Sequence, residues 1–254
     1  MNSNVKEIGH VSFKIYDEIP FRNFYENELK LKTGFILKTE DGKDRIIYYQ
    51  LNHGQFLEVF PKTKSTDWAD YDGHSNEDKL SYQYTTLGKG DHPEMIRDHE
   101  GNLFEMYPGA HYISKVTYKV NNIEKSKKFY TDILALNIIS ETPNAVQIKI
   151  NDEQIVELLN QPYTGDNHSD NKGFCHYSLI VKDIEAEARR LEQIGYLMTA
   201  GPLNSGHPYT KENPYKAVKH SEKSYNFYIQ DPDFNEIEVM SYSAESYQVK
   251  YATE

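Results

Sequence analysis

The chain of 254 residues is 38% hydrophobic and 13% aromatic, enough for real cores, which excludes global disorder and suits two domains of ordinary size. Its 39 acidic against 28 basic side chains leave a formal charge of −11; with no Lys/Arg stripe, nucleic-acid binding is disfavoured. The single cysteine, Cys175, cannot form an internal disulfide, and neither an N-terminal apolar core nor a stretch of about 18 apolar residues occurs, so the expectation is a cytoplasmic protein with no membrane contact.

In chain order, IGHVSFKIYDEIPFRNFYENELKL (Ile8–Leu31) predicts an alternating strand, a short turn and a helix. ISKVTYKVNNIEKSKKFYTDILAL (Ile113–Leu136) repeats the pattern, with Ile123, Phe129, Tyr130, Ile133 and Leu134 at helical spacing. FCHYSLIVKDIEAEARRLEQIGY (Phe174–Tyr196) is a third copy, its helix stopped by Gly195. In that strand Tyr177, Leu179 and Val181 share one face, while His176, Ser178 and Ile180 share the other.

Each copy later reaches a strand with a central glutamate: Glu58 in GQFLEVFP, Glu157 in EQIVELLN and Glu238 in NEIEVMSY. A fourth such strand, NLFEMYP with Glu105, follows the turn RDHEG and pairs with an opening strand at Ser81–Leu87. Too few residues separate the two for a helix, so this second unit reads as truncated. The result is three complete units and one degenerate one, an α+β protein of antiparallel sheets with helices on one face. The boundary falls near Pro108–Ala110, giving halves 1–108 and 109–254. A long loop, Thr199–Ser224, interrupts the last unit, and loops of that length are lids or disordered segments.

This arrangement resembles the vicinal oxygen chelate superfamily of glyoxalase I, extradiol dioxygenases, fosfomycin-resistance and bleomycin-resistance proteins. The stretches that carry the likeness are GHVSFKI, FYENELKLK and GQFLEVF in the first unit and GFCHYSLIVKDI and DPDFNEIEVM in the last. One departure is Phe234, where the family turn has glycine; Asn235 is expected to take the left-handed conformation instead. The resemblance implies repeated βαβββ modules forming two glyoxalase-like domains, with a divalent metal held by the first and last strands of paired modules. Strand phase agrees with that use: His10, Glu58, His176 and Glu238 all fall opposite the apolar face of their strands.

Two pairings are open. Neighbouring modules would set His10 and Glu58 with Tyr84 and Glu105, and Lys115 and Glu157 with His176 and Glu238. Outer modules pairing together would instead gather His10, Glu58, His176 and Glu238 as metal ligands, and leave Tyr84, Glu105, Lys115 and Glu157 in an inner cleft. The second arrangement segregates the good ligands, and an ammonium from Lys115 would replace the ion in the inner cleft. Two imidazoles and two carboxylates suit Zn, Ni, Co, Mn or Fe(II) alike.

The implied chemistry is that of a glyoxalase I-like lyase or isomerase acting on a small substrate with vicinal oxygens through a metal-stabilised enediolate, with Glu238 or Glu58 as the base. The alternatives are an extradiol-type dioxygenase, which Glu58 as a fourth ligand argues against, a fosfomycin-type transferase, whose family uses two histidines and one glutamate, and a non-catalytic binding protein, which needs no such quartet. His74 is a rival ligand in the first unit; His207 and His220, on the long loop, are candidate substrate contacts, and His53, His92, His99, His111 and His168 sit beside turns. Glutathione lacks support: only Arg22, Arg189 and Arg190 lie on the helices, and the last two read as a solvated face. Four modules supply both halves of a cleft, so a monomer and a homodimer are both competent.

Overall fold

The structure is a computed structural model, and it describes all residues except 1–2, 16–17, 62–82, 100, 110, 162–173, 202–206, 211, 218, 221 and 252–254. His74 and His168 lie outside the described residues. Among the described residues, no helix is long and apolar enough to cross a membrane.

The first module is β1 (Val5–Ile15), α1 (Glu18–Arg22) widening into a π-helical turn over Asn23–Glu28, then β2 (Lys32–Lys38), β3 (Asp44–Asn52) and β4 (Gln55–Pro61). The second holds β5 (Gln83–Leu87), β6 (Glu94–Arg97) and β7 (Leu103–Met106), without a helix. The third repeats the first as β8 (Ile113–Val120), α2 (Ile123–Lys128) with its own π-helical turn, β9 (Asn137–Glu141), β10 (Ala145–Lys149) and β11 (Ile155–Asn160). The fourth has β12 (Phe174–Val181), α3 (Ile184–Gln193), β13 (Tyr225–Gln230) and β14 (Glu236–Ser241), and α4 (Tyr247–Lys250) follows. Asn122 and Asp183 cap α2 and α3 by accepting the backbone N–H of Lys125 and Ala186. Gly195, at φ 71°, ends the third helix as its spacing predicts.

These strands form two seven-stranded sheets. One runs β13-β14-β12-β1-β4-β3-β2, built from the outer modules; the other runs β6-β7-β5-β8-β11-β10-β9, built from the inner ones. Both are mixed, where the sequence predicts antiparallel sheets. The correction has a simple cause: the helix carries the chain over the sheet, so the last strand of a module returns parallel to its first, as β4 does on β1 and β11 on β8. Among the described residues, the fourth module shows no strand between α3 and β13; Thr199 there bridges to Tyr228 and Pro208.

Phase assigns the faces. Val11, Phe13, Ile15, Tyr177, Leu179 and Val181 all join one hydrophobic core beneath the helices, continuous across both sheets. A smaller cluster of Phe35, Leu37, Ile46, Tyr48 and Phe56 occupies the opposite, concave face of the outer sheet. Two glutamines tie the sheets together. Gln55 donates to Ile8 O and accepts from Ile113 N, while Gln154 accepts from Ile8 N and donates to Ile113 O.

The turns before β7 and β14 are twins. Asp98 accepts the backbone N–H and side-chain amide of Asn102, and Asp231 does the same for Asn235. In the first, Gly101 supplies the left-handed residue at φ 82°. In the second it is Phe234 itself, at φ 62°, that turns left-handed, not Asn235. Asn235 cannot take that role because Asp231 holds both its amides in the ladder position. Arg190 likewise departs from a purely solvated face: it pairs with the buried Glu187 and donates to Ile133 O.

Candidate metal centre

His10 on β1 and His176 on β12 meet across the antiparallel junction of the outer modules. The junction is irregular at this point, and two serines hold it: His10 N donates to Ser178 Oγ at 2.8 Å, and His176 N donates to Ser12 Oγ at 3.0 Å. Glu58 comes from β4, level with Ser12, and Glu238 from β14, level with Ser178. One donor atom of each of the four residues lies within 4.8 Å of all the others. The two Nε2 atoms stand 3.1 Å apart. Glu58 Oε2 is 3.2 Å from each of them, and Glu238 Oε2 is 3.0 Å from His10 and 3.3 Å from His176. All four side chains are buried, with exposures from 0% to 4%.

Those separations equal the edges of a coordination shell with metal–ligand bonds of about 2.1 Å. Glu58 Oε2 is buried with no hydrogen-bond donor, although it faces two imidazoles. A buried carboxylate oxygen left so is costly, and a cation at the centre of the quartet would satisfy it. The other oxygens are fixed from behind: Tyr48 OH donates to Glu58 Oε1, and Asn226 Nδ2 donates to Glu238 Oε1. Burial, and then Glu58, push the Tyr48 phenol well above its ordinary range, so it stays a donor.

The electrostatics state the same demand. Burial alone would lower the His176 pKa, but the facing carboxylates of Glu238 and Glu58 outweigh it and raise the value to about 10. Burial would raise Glu238; His10 and His176 instead hold it below the usual carboxylate range. Two buried carboxylates therefore call for positive charge between them, which either a proton on an imidazole or a bound cation supplies.

A profile of the Glyoxalase/Bleomycin resistance protein/Dioxygenase superfamily matches residues 112–239, half of the chain. The chain belongs to this superfamily. Among solved structures, a glyoxalase I point mutant from Zea mays is 13% identical, with a TM-score of 0.65 over 98% of this chain and 97% of that one. Unmutated Zea mays glyoxalase I gives 13% and 0.60 over 92% of each chain. A Bacillus subtilis protein provisionally named a dioxygenase gives 13% and 0.65 over 94% of this chain and 86% of that one. At such identities the likeness is one of fold. No curated protein sequence matches the chain.

The inner cleft of this superfamily member is arranged differently. Lys115 stands at the position equivalent to His10, and its Nζ lies 3.5 Å from Glu105 and 3.2 Å from Glu157. Thr86 Oγ1 donates to Glu105 and Gln147 Nε2 to Glu157. The backbone of Tyr84 pairs with Thr117, level with this group. Of the remaining histidines, His53, His92, His99, His111 and His207 are exposed and His220 is half-buried, and none joins the quartet. Tyr48 and Asn226 escaped the sequence reading. Their signal was hairpin register: the Asn52–Gln55 turn sets Tyr48 opposite Glu58, and the Asp231–Asn235 turn sets Tyr228 opposite Glu238 with Asn226 diagonal to it.

Proposed function

We propose that the outer cleft is the active site of a divalent-metal-dependent enzyme of glyoxalase I type, a lyase or isomerase acting on a small molecule with vicinal oxygens. The observation that carries this is the contrast of donor sets: His10, Glu58, His176 and Glu238 converge in one cleft, while Lys115 fills the equivalent place in the other. His10, His176, Glu58 and Glu238 would hold the ion. When bound there, it supplies Lewis acidity that polarises a carbonyl and acidifies the proton on the neighbouring carbon.

Glu58 is the proposed base. Tyr48 anchors Oε1, which leaves Oε2 facing the centre of the cleft, where it would either hold the ion or, released from it, take a proton. The C–H bond of one substrate carbon breaks, the proton passes to Glu58, and the same carboxylate returns it to the adjacent carbon; no oxidant or reductant is consumed. Glu238, held by Asn226 and both imidazoles, stays ionised. The low exposure of all four residues excludes water from the transfer. An extradiol-type dioxygenase fits less well, because Glu58 takes a position that catechol and O2 would need. The single Cys175 supports a reducing, cytoplasmic setting, and one chain supplies every ligand, so a monomer suffices.

The test is elemental analysis of protein purified without chelator or histidine tag. About one equivalent of transition metal, lost in His176→Ala and kept in Lys115→Ala, is expected for a single outer-cleft site of this ligand type. Absence of metal, with none taken up on reconstitution, would sink the enzyme reading and leave a binding protein on the same fold.

A further inference from the structure

Three neutral side chains on the concave face of the outer sheet carry buried polar atoms without a partner: Asn226 Oδ1, Tyr242 OH, and both Oε1 and Nε2 of Gln248. Asn226 reaches Glu238 through its amide nitrogen, which places its free oxygen beside the quartet. Tyr242 continues the phase of Glu236, Glu238 and Met240 past the end of β14, and its hydroxyl would lie 2.8 Å from a Cβ at Gly9, the residue before His10. Gln248 lies on α4, which folds back over the concave face. Its neighbour Tyr247 packs on the Phe35–Tyr48 cluster, edge-on to Phe35 at 5.7 Å, and its backbone N–H donates to Glu222 O. Gln248 itself is 1% exposed.

A buried polar atom with no partner is rare in a native protein, and each one calls for a ligand or a water. These four atoms are two amide acceptors, an amide donor and a phenol. None carries charge. Aromatic rings flank them, with Tyr48 stacked on Phe35 at 4.1 Å and Tyr228 edge-on to His176 at 5.3 Å. Arginine, the usual partner of a carboxylate or phosphate, is committed elsewhere: Arg22, Arg189 and Arg190 pair with acids, and Arg45 and Arg97 are exposed.

We infer that Asn226, Tyr242 and Gln248 form the recognition wall of the active site, and that the substrate is an uncharged hydroxyketone or hydroxyaldehyde with further hydroxyl groups, a short sugar in chemical class. This rests on the function proposed above. The vicinal carbonyl and hydroxyl lie at the quartet, and the remaining hydroxyls bond the wall, each acting as donor to an amide oxygen or acceptor from Gln248 Nε2. Substrates built on glutathione, with two carboxylates, find no uncommitted arginine on this face.

The experiment titrates metal-loaded protein calorimetrically with hydroxyacetone, which has only the chelating pair, then with erythrulose and xylulose, which add hydroxyls to the same pair. Two added hydrogen bonds predict that xylulose binds roughly tenfold more tightly than hydroxyacetone. In Gln248→Met and Tyr242→Phe, each checked for unchanged melting temperature and metal content, that ratio falls towards one. A flat series in the unmodified protein, tight binding of a glutathione hemithioacetal, or a ratio unmoved by both variants overturns the inference and leaves the metal site standing. Failure to bind metal at all removes the proposed function and this inference with it.

Discussion

The outer and inner clefts are built to one plan and hold opposite solutions. In each, a glutamate stands level with a hydroxyl residue on the first strand: Glu58 beside Ser12, Glu157 beside Thr117, Glu238 beside Ser178 and Glu105 beside Thr86. In each, the paired carboxylates need a counter-charge. The outer cleft surrounds that point with two imidazoles, which leave it open to a cation; the inner cleft fills it with the ammonium of Lys115. Two changes at repeated positions, lysine for histidine at Lys115 and tyrosine for histidine at Tyr84, therefore separate a centre that could hold a metal from an internal ion pair. The lysine side chain is 18% exposed, so its cleft is also the wetter of the two.

The comparison breaks hardest at Glu58. Glu58→Gln is expected to lower the rate of deuterium exchange from solvent into a hydroxyketone by about a hundred- to ten-thousand-fold, the usual share of a general base. Glu157→Gln in the inner cleft should leave it unchanged. Equal losses in both variants would mean that the inner cleft takes part in the chemistry.

Next in size is Lys115→Met, which strands Glu105 and Glu157 near one another; chemical denaturation should register a loss of about 3 kcal/mol. Metal content of the outer cleft should not change. Were stability unaffected, the ammonium would not be the counter-charge claimed for it.

Protons sharpen the same contrast. The folded-state pKa of His176 is raised to about 10, above its unfolded value near 6.5. Metal-free protein thus holds this stabilisation in full below about pH 6.5 and loses it as pH rises through about 10. At pH 7 metal entry must displace that proton, so titrations in buffers of differing ionisation enthalpy should report about one proton released per ion. No release would show that the apo quartet is not held by a protonated imidazole.

Two smaller effects concern the backbone. A Cβ at Gly9 would meet Ile180 Cδ1 at 2.6 Å and Tyr242 OH at 2.8 Å, whereas the inner cleft accepts Ser114 at the equivalent place. Gly9→Ala should cost about 2 kcal/mol through overpacking, seen as a lower denaturation midpoint. Phe234, left-handed and 51% exposed, gains nothing from burial that offsets its φ. Phe234→Gly, copying Gly101 in the twin turn, should stabilise by about 1 kcal/mol. A destabilised Phe234→Gly protein would show that the phenyl ring makes contacts worth more than the strain.

Much of the site was legible because its signals are local. Alternation with period 2 separates His10 from Val11 and His176 from Tyr177 with no knowledge of the fold, and recurrence of the same strand–helix pattern reveals equivalent positions. Parallel pairing within modules was missed, since alternation looks the same in either direction. Phe234 was misread because propensity names asparagine as the better left-handed residue, while the Asp231 side chain already claims Asn235. The second strand of the last module, reduced among the described residues to bridges at Thr199, lay hidden in a loop with no periodicity.

By itself, then, the sequence determined the modules, the faces of their strands, the four ligand candidates and the lysine that opposes them, all properties of a residue and its near neighbours. Tertiary structure decided what those residues meet. It joined β1 to β12 across most of the chain, set the imidazole nitrogens 3.1 Å apart, placed Tyr48 and Asn226 behind the carboxylates, and folded α4 over the concave face. Such contacts depend on loop closure and sheet order, which no short-range pattern encodes.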